Sequence, residues 1–248
     1  EVFKGINSFT QFSNQIGWVG SMQSVLLGDM YKIKISDTDT ILYEGIPVNL
    51  NDSLYHIDIN QGWNWIGYLG QRPLEINYAL SSINPSPGDL IKSKNYFSQF
   101  ASESIGWIGS LNMLSENEGY MYKSSTPQTL IYPESSLYGS NSFRLISNPD
   151  YFNKWNLNPN KFENSMNLVA KIDGNNLFEQ NTKDIIGAFN KSECVGSTSQ
   201  IKINGSKYYF MTIYGNQNDS IFFKFYDDDS GITFQSKYEF VFEDDRII

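Results

Sequence analysis

The feature that most constrains this 248-residue chain is an internal repeat. Residues 17–22 read GWVGSM, and residues 106–111, which begin 89 positions later, read GWIGSL. Further matches at nearly the same offset precede and follow this motif: residues 4–12 with 92–100, 30–32 with 121–123, and 41–43 with 130–132. An ordered series of matches at one spacing is the signature of a repeated structural unit. We therefore expect two copies of one folding unit.

The two copies are unequal in length. Residues 58–68, DINQGWNWIGY, precede the motif of the second copy, and nothing similar precedes the motif of the first. Residues 46–133 are therefore predicted to form one complete module, and residues 1–45 the C-terminal half of another. On this pattern we expect the chain to be part of a longer array.

The predicted fold class is mainly β. Most of the module reads as short strands between Gly, Asn, Pro and Ser residues, but apolar spacing over residues 73–83 predicts one short helix. Residues 134–153 mix Ser, Gly, Asn and Pro and predict a linker. Regularly spaced apolar runs over residues 154–248 predict a β-sandwich module. The expected architecture is tandem small β modules, one with a short helix, followed by an antiparallel β-sandwich.

The composition excludes several classes of function. A single Cys and a single His cannot form a disulfide framework, a Cys-based zinc site or a His cluster. A net charge of −9 is a poor match to nucleic acid, which is bound through clustered Lys and Arg. No apolar run approaches the roughly 18 residues needed to span a membrane. Many aromatic residues with few charges favour an extracellular or outer cell-surface protein.

The candidate catalytic groups are few. His56 shares an alternating segment with Asp58, and a base with its orienting carboxylate could be imagined there, but no nucleophile motif accompanies them. We favour a partly exposed strand histidine. Cys194 lies in a strand pattern that favours a buried, inert thiol. The sequence therefore predicts no catalytic residue and no enzyme activity.

One acidic loop is a candidate metal site. Asp227, Asp228 and Asp229 could supply oxygen ligands to a structural Ca²⁺, although they lack the ligand spacing of an EF-hand. A solvated turn is the alternative that we favour. No other cofactor is predicted.

The recurring tryptophans are the candidate binding residues. Trp18, Trp65 and Trp107 each precede an Ile or Val and a Gly. They could stack on sugar rings, but core anchors of a repeat would recur in the same way, and we favour that interpretation. We expect Trp63 to face the other side of its strand from Trp65, which makes it the better candidate for a surface or interdomain contact. The candidate binding residues are thus Trp63, Trp18 and Trp107.

Several of these runs resemble a known kind of protein. The runs GWNWIGY (62–68), GDLIKS (88–93), GWIGSL (106–111), GYM (119–121) and LIYP (130–133) are similar to a tandem module of large secreted and cell-surface proteins of Bacteroidota. Residues 43–48 resemble the spacer between such modules. The runs FENSM (162–166), DIIGAF (184–189) and ECVG (193–196) resemble a β-sandwich module that often follows the repeats. The resemblance implies a multidomain exoprotein, often exported by type IX secretion, and implies location more than activity.

These observations predict a non-catalytic secreted or cell-surface module, which is a spacer and binding segment of an adhesin-like multidomain protein. One alternative is an ancillary carbohydrate-binding or presenting region of an extracellular enzyme. Another is a subunit or segment of a surface filament. The expected partners are neighbouring domains of the same longer chain, and an extracellular glycan or another surface protein.

Overall fold

The computed structural model of this protein describes residues 1–42, 44–134, 154–171, 183–203, 205–246 and 248. The chain divides into two compact units, Glu1–Lys94 with Ser98–Asn148 and Asn95–Phe97 with Pro149–Ile248. Its strands form antiparallel sheets in both units, so the predicted mainly β fold class is confirmed. The predicted linker, residues 134–153, lies outside the described residues except for Glu134.

The N-terminal part of the first unit forms a four-stranded sheet, which we call the first sheet. Its strands are β1 (Val2–Lys4), β2 (Phe9–Ser13), β3 (Gly17–Gly20) and β4 (Lys32–Lys34), and their order is β3-β2-β1-β4. Among residues 1–34, all of which the structure describes, only Gly5 and Gly28 are buried. The first sheet therefore has no core of large side chains of its own.

Residues 44–134, all of which the structure describes, form nine further strands. They are β5 (Ile57–Ile59), β6 (Gly62–Gly67), β7 (Leu74–Glu75), β8 (Leu90–Lys92), β9 (Phe97–Ser102), β10 (Gly106–Gly109), β11 (Met113–Leu114), β12 (Gly119–Ser124) and β13 (Gln128–Leu130). The second sheet has the order β10-β9-β8-β12-β6, while β7 pairs with β11 and β5 with β13. A 3-10 turn over Ser53–Tyr55 precedes β5, and His56 ends this turn outside the strand, so the expectation of a strand histidine was wrong.

The two sheets have the same strand order where the sequence repeats. The order β3-β2-β1-β4 in the first sheet corresponds to β10-β9-β8-β12 in the second. The register agrees as well, because Phe12 lies opposite Trp18 and its counterpart Phe100 lies opposite Trp107. We use the word counterpart for residues that both the sequence match and the strand register bring into correspondence.

One sequence match is displaced in the structure. The sequence aligns Met30 with Met121, but Lys4 lies opposite Lys32 while its counterpart Lys92 lies opposite Met121. The register therefore makes Lys32, and not Met30, the counterpart of Met121. A displacement of two residues leaves each side chain on the same face, because side chains alternate along a strand.

The predicted helix over residues 73–83 is shorter than expected. The helix α1 covers only Ile76–Ala79, because the preceding two residues pair with β11 as strand β7. The Glu75 carboxylate begins the helix by accepting a hydrogen bond from the Tyr78 N–H at 3.1 Å. After the helix, the Leu80 N–H donates to the Ile76 carbonyl at 3.0 Å, and turns follow. The apolar side chains that residues 73–83 bury are Leu74, Ile76, Ala79, Leu80 and Ile83.

A buried carboxylate fixes the turn that follows β12. Asp89 Oδ1 accepts hydrogen bonds from the Ser125 N–H at 2.8 Å and the Ser125 hydroxyl at 2.6 Å. Its Oδ2 accepts from the Ser86 N–H at 3.0 Å and the Tyr122 hydroxyl at 3.3 Å. Four donors offset the cost of removing the carboxylate from water. Asp89 therefore has a structural role in holding the ends of β8 and β12 together.

The second unit is an antiparallel β-sandwich. A 3-10 turn over Pro159–Lys161 precedes its strands, which are β14 (Asn164–Ala170), β15 (Ile185–Asn190), β16 (Glu193–Ile203), β17 (Ser206–Gly215), β18 (Ser220–Asp227) and β19 (Ile232–Val241). Their order is β14-β17-β16-β15-β18-β19. Strand β16 pairs with β15 through residues 193–199 and with β17 through residues 200–203. It therefore connects β14 and β17 with β15, β18 and β19. The core cluster contains Met166, Leu168, Ile186, Ala188, Val195, Tyr209, Met211, Ile213, Ile221 and Phe242.

The buried Tyr209 makes the sandwich sensitive to alkaline pH. Burial, with a smaller contribution from Asp184, raises the pKa of Tyr209 to about 12. Because the pKa in the folded state is raised above that of an unfolded tyrosine, this stabilisation is complete below about pH 10 and is lost between about pH 10 and 12. We expect the Tyr209→Phe variant to lose less stability than the wild type between about pH 10 and 12. Unfolding titrations followed by circular dichroism and by tyrosinate absorbance measure this difference. Tyr238→Phe is the control, since Tyr238 is 83% exposed, and an equal response of both variants would contradict the prediction.

Candidate binding surface

The first sheet presents a cluster of apolar side chains on one of its faces. Phe3 lies opposite Ile33, and Phe12 lies opposite Trp18, and the alternation of strands places all four on the same side. Trp18 is 52% exposed and Phe12 is 41% exposed, and Ile33 is exposed as well. We call Phe3, Phe12, Trp18 and Ile33 the first-sheet face.

The counterparts of these residues in the second sheet are buried. Trp107 and Phe100 are each only 7% exposed, and Ile91 and Tyr122 are fully enclosed. The difference lies in what covers the sheet and not in the sheet itself. The rings of Phe12 and Trp18 lie 5.5 Å apart at 66°, and those of Phe100 and Trp107 lie 5.5 Å apart at 63°. The rings of Phe12 and Trp18 are therefore arranged like the buried rings of Phe100 and Trp107, although they are exposed to solvent.

The cover of the second sheet is the segment of β7, α1 and the turns that follow. Leu80 and Ile83 line a shallow groove together with Phe100 and Trp107. Asn77 Oδ1 accepts a hydrogen bond from the backbone N–H of Trp107 at 2.8 Å. The cover therefore contributes both apolar contact and one directed hydrogen bond to the strand that carries the tryptophan.

Two matched glycines show where the cover is present and where it is not. Gly106 has φ +79, and a Cβ atom added there would lie 2.2 Å from Asn77 Oδ1. Its counterpart Gly17 has φ +76, and an added Cβ would meet nothing within 4 Å. The backbone at both positions favours glycine, but only beside Gly106 is the adjoining space filled.

The edge that receives β7 also has a counterpart. In the second sheet region, β7 pairs with Met113 and Leu114 of β11. At the matching offset the chain has Ser24 and Val25, which lie in no strand, and Val25 is exposed. Residues 24 and 25 therefore correspond in sequence to β11 but form no strand.

Residues 28, 29 and 32 contact strand β6. The Gly67 N–H donates to the Gly28 carbonyl at 2.7 Å, and Asp29 forms an isolated bridge with the same strand. The Lys32 ammonium lies 4.8 Å from the ring centroid of Trp65. These contacts attach residues 28–32 to β6 and leave the first-sheet face uncovered.

The structure corrects the expectation for Trp63. Trp63 and Trp65 are both half-buried on one face of β6, and Asn64 between them is buried on the other. The expectation of opposite faces was wrong, because side chains two residues apart in a strand share a face. The ammonium groups of Lys92 and Lys123 lie 5.2 Å and 5.8 Å from the Trp63 ring centroid. A surface contact through Trp63 stays a prediction.

The residues weighed for catalysis have structural surroundings. His56 ends the 3-10 turn before β5, and Asp58 Oδ1 accepts a hydrogen bond from the Thr129 hydroxyl at 3.5 Å across β13. Cys194 is buried, and its thiol donates to the Gly196 carbonyl at 3.4 Å. Burial raises the pKa of the Cys194 thiol, which keeps it in the less reactive protonated form.

The acidic loop forms the turn between β18 and β19. Asp227 Oδ1 accepts from the Asp229 N–H at 3.2 Å, and its Oδ2 accepts from the Ser230 hydroxyl at 2.6 Å. The Asp228 N–H donates to Asp184, whose pKa is raised mainly by burial. Within the described ranges no group of three or more His, Cys, Asp or Glu side chains is placed to hold a metal ion. The structural calcium at Asp227, Asp228 and Asp229 stays a prediction.

Comparisons with protein-family models, with curated proteins and with solved structures each find no match for this chain. Among the residues that the structure describes, no helix is long and apolar enough to cross a membrane. The candidate surface is therefore argued from the two sheets of this chain alone.

Sequence reasoning treated Trp18 and Trp107 as equivalent, and the structure separates them by burial. The difference comes from residues 74–83, which supply the cover of Trp107 from about thirty residues upstream in the chain. Nothing in the sequence indicated the role of Asn77. A single Asn among helically spaced apolar residues does not reveal that its side chain reaches a neighbouring strand.

The unequal cover predicts unequal effects of one substitution. We expect Trp107→Ala to destabilise the second sheet by about 3–5 kcal/mol, because it leaves a cavity beneath α1. The same change at Trp18 should cost about 1 kcal/mol, since it removes mainly the ring contact with Phe12. Native-state hydrogen exchange of the β9 and β10 amides measures the first effect, and that of the β2 and β3 amides the second. Equal losses in the two sheets would contradict the assignment of the cover.

Proposed function

We propose that this chain is a non-catalytic segment of a secreted or cell-surface multidomain protein, in which it acts as a spacer and a binding element. The observation that carries the binding role is the exposure of the first-sheet face. Contiguous apolar surface on a soluble protein marks interaction sites. The four side chains are already held in the arrangement that the second sheet buries, so binding there requires little reordering.

The proposal of tandem modules is supported by the match between the two sheets. Strand order, register and the Phe–Trp ring geometry agree between them. The extracellular location, the type IX export route and the adhesin-like character are proposed from the resemblance of residues 62–68, 106–111 and 184–189 to modules of Bacteroidota surface proteins.

The non-catalytic role is supported by the surroundings of the reactive groups. The Asp58 carboxylate is engaged with Thr129, and the Cys194 thiol is buried and protonated. A nucleophile needs an adjacent base or a lowered pKa, and Cys194 has its pKa shifted the other way. These surroundings support a structural and binding role for the chain.

A second candidate is the binding of carbohydrate by an ancillary region of an extracellular enzyme. The observation that favours it is the exposed Trp18 indole, which stands edge-to-face with Phe12. Amphipathic aromatic rings with one exposed face are common in recognition surfaces. In this alternative the catalytic domain lies elsewhere in the longer protein.

The proposed location is tested on cells that express the protein. An antibody raised against this chain should label intact cells or the culture medium, and protease added to intact cells should remove the surface signal. A cytoplasmic marker protein serves as the control for cell integrity. Recovery of the antigen only from the cytoplasmic fraction would refute the location.

The carbohydrate alternative is tested with a glycan array. If it holds, the purified chain should bind a set of glycans, and Trp18→Ala should abolish that binding. Tyr238→Ala is the matched control, because it removes an exposed ring from the sandwich. Uniform absence of binding, or binding that survives Trp18→Ala, would remove this alternative.

A further inference from the structure

The geometry points to a specific occupant for the first-sheet face. We propose that this face docks a strand–helix segment of the type formed by residues 72–85. The inference rests on the proposed binding role of the face and names its partner. It is argued from the second sheet, which shows the same surface with its cover in place.

The first argument is the match of the receiving surfaces. In the second sheet the cover buries a tryptophan and a phenylalanine that are 5.5 Å apart and tilted by 63°. The first sheet holds Phe12 and Trp18 at the same distance and within three degrees of the same angle, without a cover. A surface that keeps the geometry of the covered state is preorganised for the same kind of occupant.

The second argument is the open space at Gly17. In the second sheet, Asn77 of the cover fills the space beside Gly106 and accepts a hydrogen bond from the Trp107 N–H. Beside Gly17 the corresponding space is empty within 4 Å. A docked asparagine from a similar segment would fill it and accept from the N–H of Trp18.

The third argument is the edge that β7 would use. The Ile76 N–H donates to the Asn112 carbonyl at 2.9 Å, and β7 pairs with β11. The matching stretch of the first copy, residues 23–25, lies in no strand. Addition of a short strand at an available edge gives main-chain hydrogen bonds, and alternate side chains give specificity.

The contact along β6 agrees with this arrangement. Residues 28 and 29 of the first copy already pair with β6 of the complete module. Neighbouring copies thus exchange main-chain contacts within this chain.

The test uses the full 248-residue chain labelled with ¹⁵N and a synthetic peptide of residues 72–85, RPLEINYALSSINP. At peptide concentrations up to the millimolar range we expect shifts of the Gly17 and Trp18 amides and of the Trp18 indole N–H. A scrambled peptide should produce none. A short peptide loses much entropy on ordering, so a second version joins it to the N-terminus through a flexible Gly/Ser linker, which raises its effective concentration.

The matched variants decide whether the site is the proposed one. Gly17→Asn keeps a residue that tolerates positive φ and fills the open space, so it should weaken peptide binding by more than about tenfold. Gly231→Asn is the control, since Gly231 has φ +69 and also meets nothing within 4 Å, but lies in the sandwich. A peptide with Asn77→Ala should lose affinity for the wild-type chain.

Several outcomes would overturn the inference. These are no shift with either peptide format, binding unaffected by Gly17→Asn, or shifts at Trp107 that indicate exchange with the resident segment. Self-association in sedimentation experiments, together with protection of the Trp18 amide in hydrogen exchange, would assign the face to a second copy and refute this partner. Glycan binding through Trp18 without peptide binding would keep the binding role of the face and refute this partner. Failure of both tests would refute the binding role itself.

Discussion

The packing of β7 and α1 against the Phe100–Trp107 pair is the interaction on which the second sheet depends. An aromatic side chain buries about 150–250 Å², which corresponds to about 4–6 kcal/mol per ring at the usual coefficient for apolar surface. The hydrogen bond from the Trp107 N–H to Asn77 adds direction to this apolar contact. Because the cover comes from residues 74–83 and the rings from β9 and β10, this one contact joins distant parts of the module.

The first sheet shows what the same strands do without that contact. Its four strands keep the order and the ring geometry of the second sheet, so these follow from local pairing and do not require the cover. Its stability has to come from backbone pairing, from the Phe3–Tyr31 and Phe12–Trp18 contacts, and from the attachment to β6 through Gly28 and Asp29. A sheet of this size needs a packed face to be stable alone. Its exposed rings therefore lack the covering side chains that bury their counterparts in the second sheet.

Repeats and strand alternation allowed the fold class to be predicted, because both are periodic in the sequence. The extent of α1 was not predictable from periodicity, since Leu74 and Glu75 fit a helical pattern but are claimed by pairing with β11. The face of Trp63 could have been predicted correctly, because Trp63 and Trp65 are two residues apart and strand side chains two residues apart share a face. The difference between Trp18 and Trp107 depends on contacts at a separation of about thirty residues, which local pattern does not report.

The identity of position 17 bears on how the first-sheet face is interpreted. A positive φ at this position explains why a β-branched or bulky residue is absent, but asparagine would tolerate the same backbone. An asparagine side chain at Gly17 would occupy the space that Asn77 occupies beside Gly106, and it would shield the Trp18 N–H from a partner. Glycine is the residue that satisfies the backbone and leaves both the space and the donor open. The turn alone requires only the first property, and a docked segment requires the second.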